Sequence, residues 1–286
     1  LQADVTGNEA NYVGARFYGN SWNNFGTGVM NTTANTITLT GSYIDGEYTC
    51  GEPGNFLNKP VYYSYDLAPN ITTTGADWNT AGSWAFGGHD GTPATVPPDG
   101  NPVIIKSGHR INIADDDRIA YSIQNDGILD IRSTIGHSLG HVSGNGRIIV
   151  NNTPMGQFVF PGGDFTDFMN TTGSTVEYNG SVGSHLSVIS STYYIYQNLE
   201  FTGPISKSLS NVNLLIKGNL LITGSEVNNT LYNKNITLLG NWTDNVSNGF
   251  VPGTGMVSFM GTALQTINTL NPEHFYHFKI NNPAGV

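Results

Sequence analysis

The tetrapeptide Lys217-Gly218-Asn219-Leu220 returns as Leu239-Gly240-Asn241-Trp242 at a spacing of 22, and the strand that follows Gly127 returns after Gly146 at a spacing of 19. A unit of about 20 residues is too short to be a domain and long enough for one circuit of short strands and corners. Short strands are what the pattern shows: Thr36–Leu39, Val103–Ile105, Arg110–Ile113, Gly127–Ile131, Arg147–Val150, Thr175–Tyr178 and Asn213–Ile216 alternate or run apolar, then stop. Stops such as Asn125-Asp126-Gly127, Ser143-Gly144-Asn145-Gly146 and Asn179-Gly180 supply the positive φ angles of tight corners. Helical periodicity is almost absent, because Gly, Asn, Thr or Ser interrupts nearly every window of three turns. One circuit cannot bury its inward side chains alone, whereas stacked circuits pair their backbone groups and share a core. The expected fold is therefore all-β, a right-handed parallel β-helix or β-solenoid. Roughly 185 residues at about 20–25 per coil give some seven to nine coils and a rod on the order of 40 Å long. Asn at the corners suits this, since it tolerates left-handed backbone and can bond to the coil above. Tandem antiparallel β-sandwiches would show the same strands and turns and are the alternative.

Composition divides the chain into three. Residues 1–70 are an irregular, aromatic-rich β segment with Ala15-Arg16-Phe17-Tyr18, Val61-Tyr62-Tyr63-Ser64-Tyr65 and a loop at Cys50-Gly51-Glu52-Pro53-Gly54. Residues 71–100 are dense in Thr, Gly and Pro, contain Trp78 and Trp84, and suit a connecting or capping segment. Residues 101–286 carry the β-helix repeats. A more distant echo runs through them: Thr175–Gly180 matches Met256–Gly261, and Tyr196–Phe201 matches Phe275–Ile280.

Eleven basic against 21 acidic residues give a net charge of −10, which repels phosphate backbones and argues against a nucleic-acid partner. Charged residues are only 11% of the chain, and 34 Asn with many Ser and Thr take over the solvation. No stretch approaches 18 apolar residues, so no membrane insertion is expected. The start, Leu1-Gln2-Ala3-Asp4-Val5, has neither an initiator Met nor a leader-like pattern, and the expectation is a soluble, processed or cut chain. The single Cys50 forms no internal disulfide and does not decide the redox compartment.

Two stretches carry a resemblance. Asp77-Trp78-Asn79-Thr80-Ala81-Gly82-Ser83-Trp84, followed by residues 97–113 (Pro-Pro-Asp-Gly-Asn-Pro-Val-Ile-Ile-Lys-Ser-Gly-His-Arg-Ile-Asn-Ile), resembles the opening of right-handed parallel β-helices in large secreted surface proteins of Bacteroidota. It is also similar to the start of the eight-glycine domain of some extracellular carbohydrate-associated proteins. Gly255–Gly261, then Gln265-Thr266-Ile267, then Phe275–Asn282 resembles a repeat of the same giant adhesin-like proteins. The resemblance spans residues 77–286. It implies export by a type IX secretion system and a role in attachment, gliding motility or biofilm formation. A C-terminal sorting domain of that family is not recognisable, and the chain stops at Asn281-Asn282-Pro283-Ala284-Gly285-Val286 in mid-repeat, as a fragment would.

The densest acidic cluster, Asp115-Asp116-Asp117, follows the strand Arg110–Ile113, and adjacent carboxylates in a turn offer hard oxygen ligands to calcium, the one cofactor considered. A solvated corner beside Arg118 is the plainer reading, since no EF-hand or nonapeptide spacing accompanies it. Polysaccharide-cleaving β-helices also use carboxylates on one face, but Asp126 and Asp130 are not pinned beside the cluster by any spacing. His137 with His141, and His274 with His277, have metal-like spacings only on a helix, and neither segment reads as helical. No Gly-x-Ser-x-Gly elbow occurs and Cys50 has no local partner signature, so no catalytic residues are assigned. Tyr62, Tyr63 and Tyr65, and later Tyr193, Tyr194 and Tyr196, include alternating tyrosines that can line a strand face and stack on sugar rings; alternation describes core packing equally well. Tyr62, Tyr63, Tyr65, Tyr194 and Tyr196 are the candidate ligand contacts.

The function these readings point to is an extracellular cell-surface adhesin or stalk module, with surface glycans or other surface polymers as partners and membership of a longer chain or larger assembly. A polysaccharide lyase or hydrolase on the same scaffold, and a structural subunit of a surface filament, are the alternatives.

Overall fold

The computed structural model describes residues 9–18, 21–26, 29–34, 36–38, 47–51, 59–153, 156–180 and 187–286. Leu1–Val5, Leu39 of the expected strand at Thr36–Leu39, and Glu52, Pro53 and Gly54 of the Cys50–Gly54 loop lie outside these residues. Two units divide the chain, Leu1–Pro60 and Val61–Val286.

In the first unit, Val13–Tyr18 pairs antiparallel with both Ser21–Gly26 and Glu47–Gly51. Val29–Asn31 pairs antiparallel with Thr36–Thr38. The side-chain oxygen of Asn31 closes that turn by accepting the N–H groups of Thr33 and Ala34.

The second unit is a parallel β-solenoid of about 8 turns. Its spine is a nine-stranded sheet in which Ala76–Asp77, Arg110–Asn112, Ile128–Asp130, Arg147–Asn151, Thr175–Asn179, Asn198–Thr202, Leu220–Ile222, Trp242–Asp244 and Ile267–Thr269 stack in that order, all parallel. Up to Thr175–Asn179 the remainder of each coil contributes one strand to a second sheet, built on Tyr62–Ser64, Pro102–Ile105, Ser122–Asn125, Ser138–Ser143 and Gly162–Asp164. From Ser187 onward each coil has two further sides. One is a four-stranded sheet of Ser187–Val188, Lys207–Ser208, Val227–Asn228 and Phe250–Val251. The other is a five-stranded sheet of Ile195–Tyr196, Leu214–Ile216, Ile236–Leu238, Met256–Phe259 and His277–Ile280.

Stacking starts earlier than the boundaries at 71 and 101 expected from composition. Tyr62–Ser64 already pairs in parallel with Pro102–Ile105. The Thr/Gly/Pro-rich stretch between them contributes Ala76–Asp77 to the stack and then leaves it to form Trp84–Phe86 and Thr92–Pro93, whose antiparallel pairing extends the sheet beyond its first parallel strand. Trp78 and Trp84 fill the core there, edge to face at 5.1 Å, and the Trp84 indole donates to the Trp78 carbonyl at 2.8 Å.

Along the long sheet one file of side chains points inward: Ala76, Ile111, Leu129, Ile148, Val176, Leu199, Leu220 and Trp242 are all buried. A second inward file places Tyr178 stacked on Phe201 at 6.1 Å. The corners carry the polar counterpart. Asn198 Oδ1 accepts the N–H of Asn219, Asn219 Oδ1 that of Asn241, and Asn241 Oδ1 that of Thr266, at 2.8–2.9 Å. A second ladder runs from Asn213 to Asn235 to Met256. Both satisfy backbone donors that the strand ladders leave over at the bends. The glycines beside the first ladder are there for room: a Cβ on Gly240 would stand 2.2 Å from the Gly218 carbonyl oxygen of the coil below.

Near its end, one rung before Thr269, the second inward file breaks the apolar rule. Asp244 is buried and hydrogen-bonds to Glu273, whose Oε2 accepts the Trp242 indole N–H at 3.1 Å. Burial, with Asp244 alongside, pushes the Glu273 carboxyl up to about 7.

Gly240→Ala is expected to force neighbouring coils apart and lower stability by about 1–3 kcal/mol in urea unfolding, whereas Gly82→Ala, with no atom within 4 Å of the new Cβ, leaves it unchanged. Because Glu273 binds its proton more tightly folded than unfolded, its stabilisation is complete below about pH 4.5 and is lost as pH rises through 7. The melting-temperature difference between the parent protein and Glu273→Gln should therefore shift against the parent between those two limits.

Candidate functional site

The outward side chains of the long sheet form two files, and these define its chemistry. The file through the strand centres reads Asp77, Asn112, Asp130, Ile149, Glu177, Glu200, Leu221, Thr243 and Asn268. Beside it, towards the corner, stand Arg110, Ile128, Arg147, Thr175 and Asn198. Strand alternation thus gathers Asp77, Asp130, Glu177 and Glu200 on one face and puts Arg110 and Arg147 next to them.

Each arginine bridges rungs. Arg110 contacts Asp130 at 2.5 Å, and Asp130 also takes Arg132 and the amide of Asn151. Arg147 donates from one nitrogen to Glu177 at 2.7 Å and from the same nitrogen to Glu200, while its other terminal nitrogen reaches Glu200 Oε1 at 2.9 Å. Thr202 donates its hydroxyl proton to the remaining Glu177 oxygen at 2.5 Å. Burial works against the guanidinium charge, but Glu200 and Glu177 outweigh it and raise the proton affinity of Arg147. One cation therefore holds two carboxylates across three coils.

Beyond Glu200 the face turns uncharged and concave. A groove of about 390 Å³ runs over the last five rungs, lined by Thr175, Asn198, Asn219, Asn241 and Thr266 along one side and by Glu200, Leu221, Thr243 and Asn268 along the other. The asparagine carbonyls of residues 198, 219 and 241 are spent on the corner ladder. That fixes the amides in place and leaves the Asn219 and Asn241 Nδ2 donors available to a ligand. A wall of amides and hydroxyls around Leu221 suits hydroxyl-rich molecules that also have an apolar face.

The tyrosines expected to meet sugars are split by strand alternation. Tyr62 and Tyr196 point inward and are buried. Tyr196 lies in the core between its bonds to the Tyr178 hydroxyl and the Tyr193 carbonyl, at 3.1 and 3.0 Å, and has no surface for a ring to stack on. Tyr62 packs against Trp84 and Phe86. For these two the core-packing reading holds and the ligand role is withdrawn. Tyr63 and Tyr65 are half-buried, and Tyr194 is 53% exposed; none of the three lies in the groove.

Asp115, Asp116 and Asp117 are exposed on a corner, but the structure does not converge their carboxylates on a common point. Asp116 Oδ1 instead accepts the N–H of Ile135 on the next coil at 2.8 Å, and Asp117 takes φ +60°. Arg118 donates to the Asp116 backbone oxygen and to Asn79. His137 is buried and accepts the Arg118 N–H on Nδ1 at 3.1 Å, while His141 lies 3.2 Å from Asp167. Asp66, His89 and His109, which do converge, belong to the first coil.

No family model, no curated protein and no solved structure matches this chain.

Removing the shared cation should be costly. Arg147→Met leaves Glu177 and Glu200 facing each other on adjacent rungs and is expected to lower stability by about 2–3 kcal/mol, less than a fully buried pair because Arg147 is 31% exposed. Urea unfolding at pH 7 reads the loss.

Proposed function

We propose that the chain is an extracellular, cell-surface adhesin or stalk module whose long polar β-face holds a neutral polysaccharide. The observation that carries this reading is the groove over the last five rungs, with its fixed amides and hydroxyls and one apolar patch at Leu221. A repeating lattice of donors about 4.8 Å apart suits a linear chain of hydroxyl-bearing rings, which it can grip weakly at many points. The net charge of −10 and Glu200 in the groove wall favour an uncharged polymer over an anionic one. A stack held by its own backbone ladders gives the stiffness a stalk needs. Export by a type IX route and a part in gliding or biofilm attachment belong to this reading through the sequence resemblance alone.

One observation favours a second reading, polysaccharide cleavage. Glu177 and Glu200 meet through Arg147 at the groove's upper end, and a carboxylate pair is the minimum that glycoside hydrolysis needs. Against it, Arg147 and Thr202 already occupy these carboxylates, which leaves neither poised to deliver a proton.

A glycan array followed by chromatography of the supernatant separates the two. Binding to neutral polysaccharides without released oligosaccharides, reduced about tenfold or more by Leu221→Arg in the groove, is the expected result. Released products that disappear in Glu200→Gln would replace the adhesive reading with the hydrolytic one.

A further inference from the structure

Three segments distant in sequence meet at the start of the solenoid. Ser64 and Asp66 end and follow its first strand, His89 lies in the loop between Trp84–Phe86 and Thr92–Pro93, and Lys106 and His109 form the corner between Pro102–Ile105 and Arg110–Asn112. One donor atom each of Asp66, His89 and His109 lies within 4.8 Å of the others. The backbone holds the frame: the Asp66 N–H donates to the His89 carbonyl at 2.8 Å, and the His109 N–H to that of Lys106 at 2.9 Å.

The hydrogen bonds around the two rings set their lone pairs. His89 Nδ1 is 2.7 Å from the Ser64 carbonyl oxygen, which can only accept, so Nδ1 carries the proton and Nε2 presents a lone pair. An imidazole oriented by its second nitrogen on a backbone carbonyl is the usual support of a metal ligand. His109 is buried, and its Nδ1 lies 2.8 Å from the Ser64 hydroxyl, which in turn accepts the Lys106 N–H at 3.0 Å. A hydroxyl both donates and accepts, so Ser64 supports His109 whether Nε2 bears a proton or a metal. His109 Nε2 and Asp66 Oδ1 are 3.2 Å apart. Two donors about 2.0–2.1 Å from one tetrahedral ion stand roughly 3.3 Å from each other, so these atoms already have the spacing of a coordination edge. Ser64 itself is fully buried, and this rules it out as a nucleophile despite the Ser–His–Asp order of contacts.

We propose that Asp66, His89 and His109 bind a zinc-type divalent cation that ties the first coil to the antiparallel strands bordering it. Two imidazoles and one carboxylate suit zinc, whereas calcium would take oxygen donors throughout. Lys106 is the competitor: its ammonium contacts both Asp66 oxygens at 2.8 and 2.9 Å, and at 45% exposure its side chain can swing into solvent when an ion arrives.

The test is calorimetric titration of the metal-stripped protein with zinc chloride, alongside its melting curve with and without zinc. Binding of one equivalent with a higher melting temperature is expected. His89→Ala should weaken binding about tenfold or more and abolish the thermal shift. Lys106→Met keeps all three ligands and removes the competitor, so it should bind zinc several-fold more tightly. Absence of saturable binding, affinity unchanged in His89→Ala, or affinity lowered in Lys106→Met would overturn the site.

Discussion

The parallel backbone ladder between successive coils is the constraint on which the rest of the second unit depends. In the nine-stranded sheet the seven inner strands pair with the coil before and the coil after. Because the ladder fixes register, it also fixes that a residue and its counterpart one coil on share a file. A side chain that points inward then points inward on every rung, which is why Ile111, Leu129, Ile148, Val176, Leu199 and Leu220 read as one continuous apolar line. The same geometry makes the outer face a lattice, where any property of one rung is repeated or answered about 4.8 Å away. Like charges on adjacent rungs are the natural hazard of such a lattice, and Arg147 between Glu177 and Glu200 is the answer to it.

Corners face a related problem, since a bend leaves backbone donors unpaired. Asparagine solves it by reaching one coil along with its side-chain oxygen, as Asn198, Asn213, Asn219, Asn235 and Asn241 do. An uncharged amide does so without the mutual repulsion a file of aspartates would suffer. The groove inherits its uncharged character from these corner amides. Amides chosen to hold corners together also present donors to whatever lies along the face.

Much of this was legible in the sequence, and the two short spacings say more than the presence of a repeat. The tighter one, from Gly127 to Gly146, belongs to coils with two sheets, and the wider one, from Lys217 to Leu239, to coils with three sides. The few added residues per coil build the extra side. The distant echo between Thr175 and Met256 misleads, because Thr175–Asn179 lies in the nine-stranded sheet and Met256–Phe259 in the five-stranded one. What recurs there is strand-plus-glycine chemistry without equivalence of position. Tyr62 and Tyr196 misread for a related reason: period-two alternation says that neighbours point opposite ways without saying which way is inward. The meeting of Glu177 and Glu200 was hidden because it requires knowing the register between two coils of unequal length. Asp66, His89 and His109 lie in three separate segments, with antiparallel strands in between that no repeat announces.

These features explain how one scaffold can separate stability from recognition. Inward files and corner amides are committed to the stack, and their substitution is felt at once in packing. The central outward file carries no such duty beyond Glu200, so Leu221, Thr243 and Asn268 can vary with little effect on the ladder. A face of this kind favours binding spread over many weak contacts, since its donors are evenly spaced and fixed before a ligand arrives. Cleavage would ask for the opposite, a few groups converging on one bond with a proton to give. Where Glu177 and Glu200 crowd together on the long sheet, an arginine holds them in mutual balance. That balance supports the proposed attachment role over the cleavage reading.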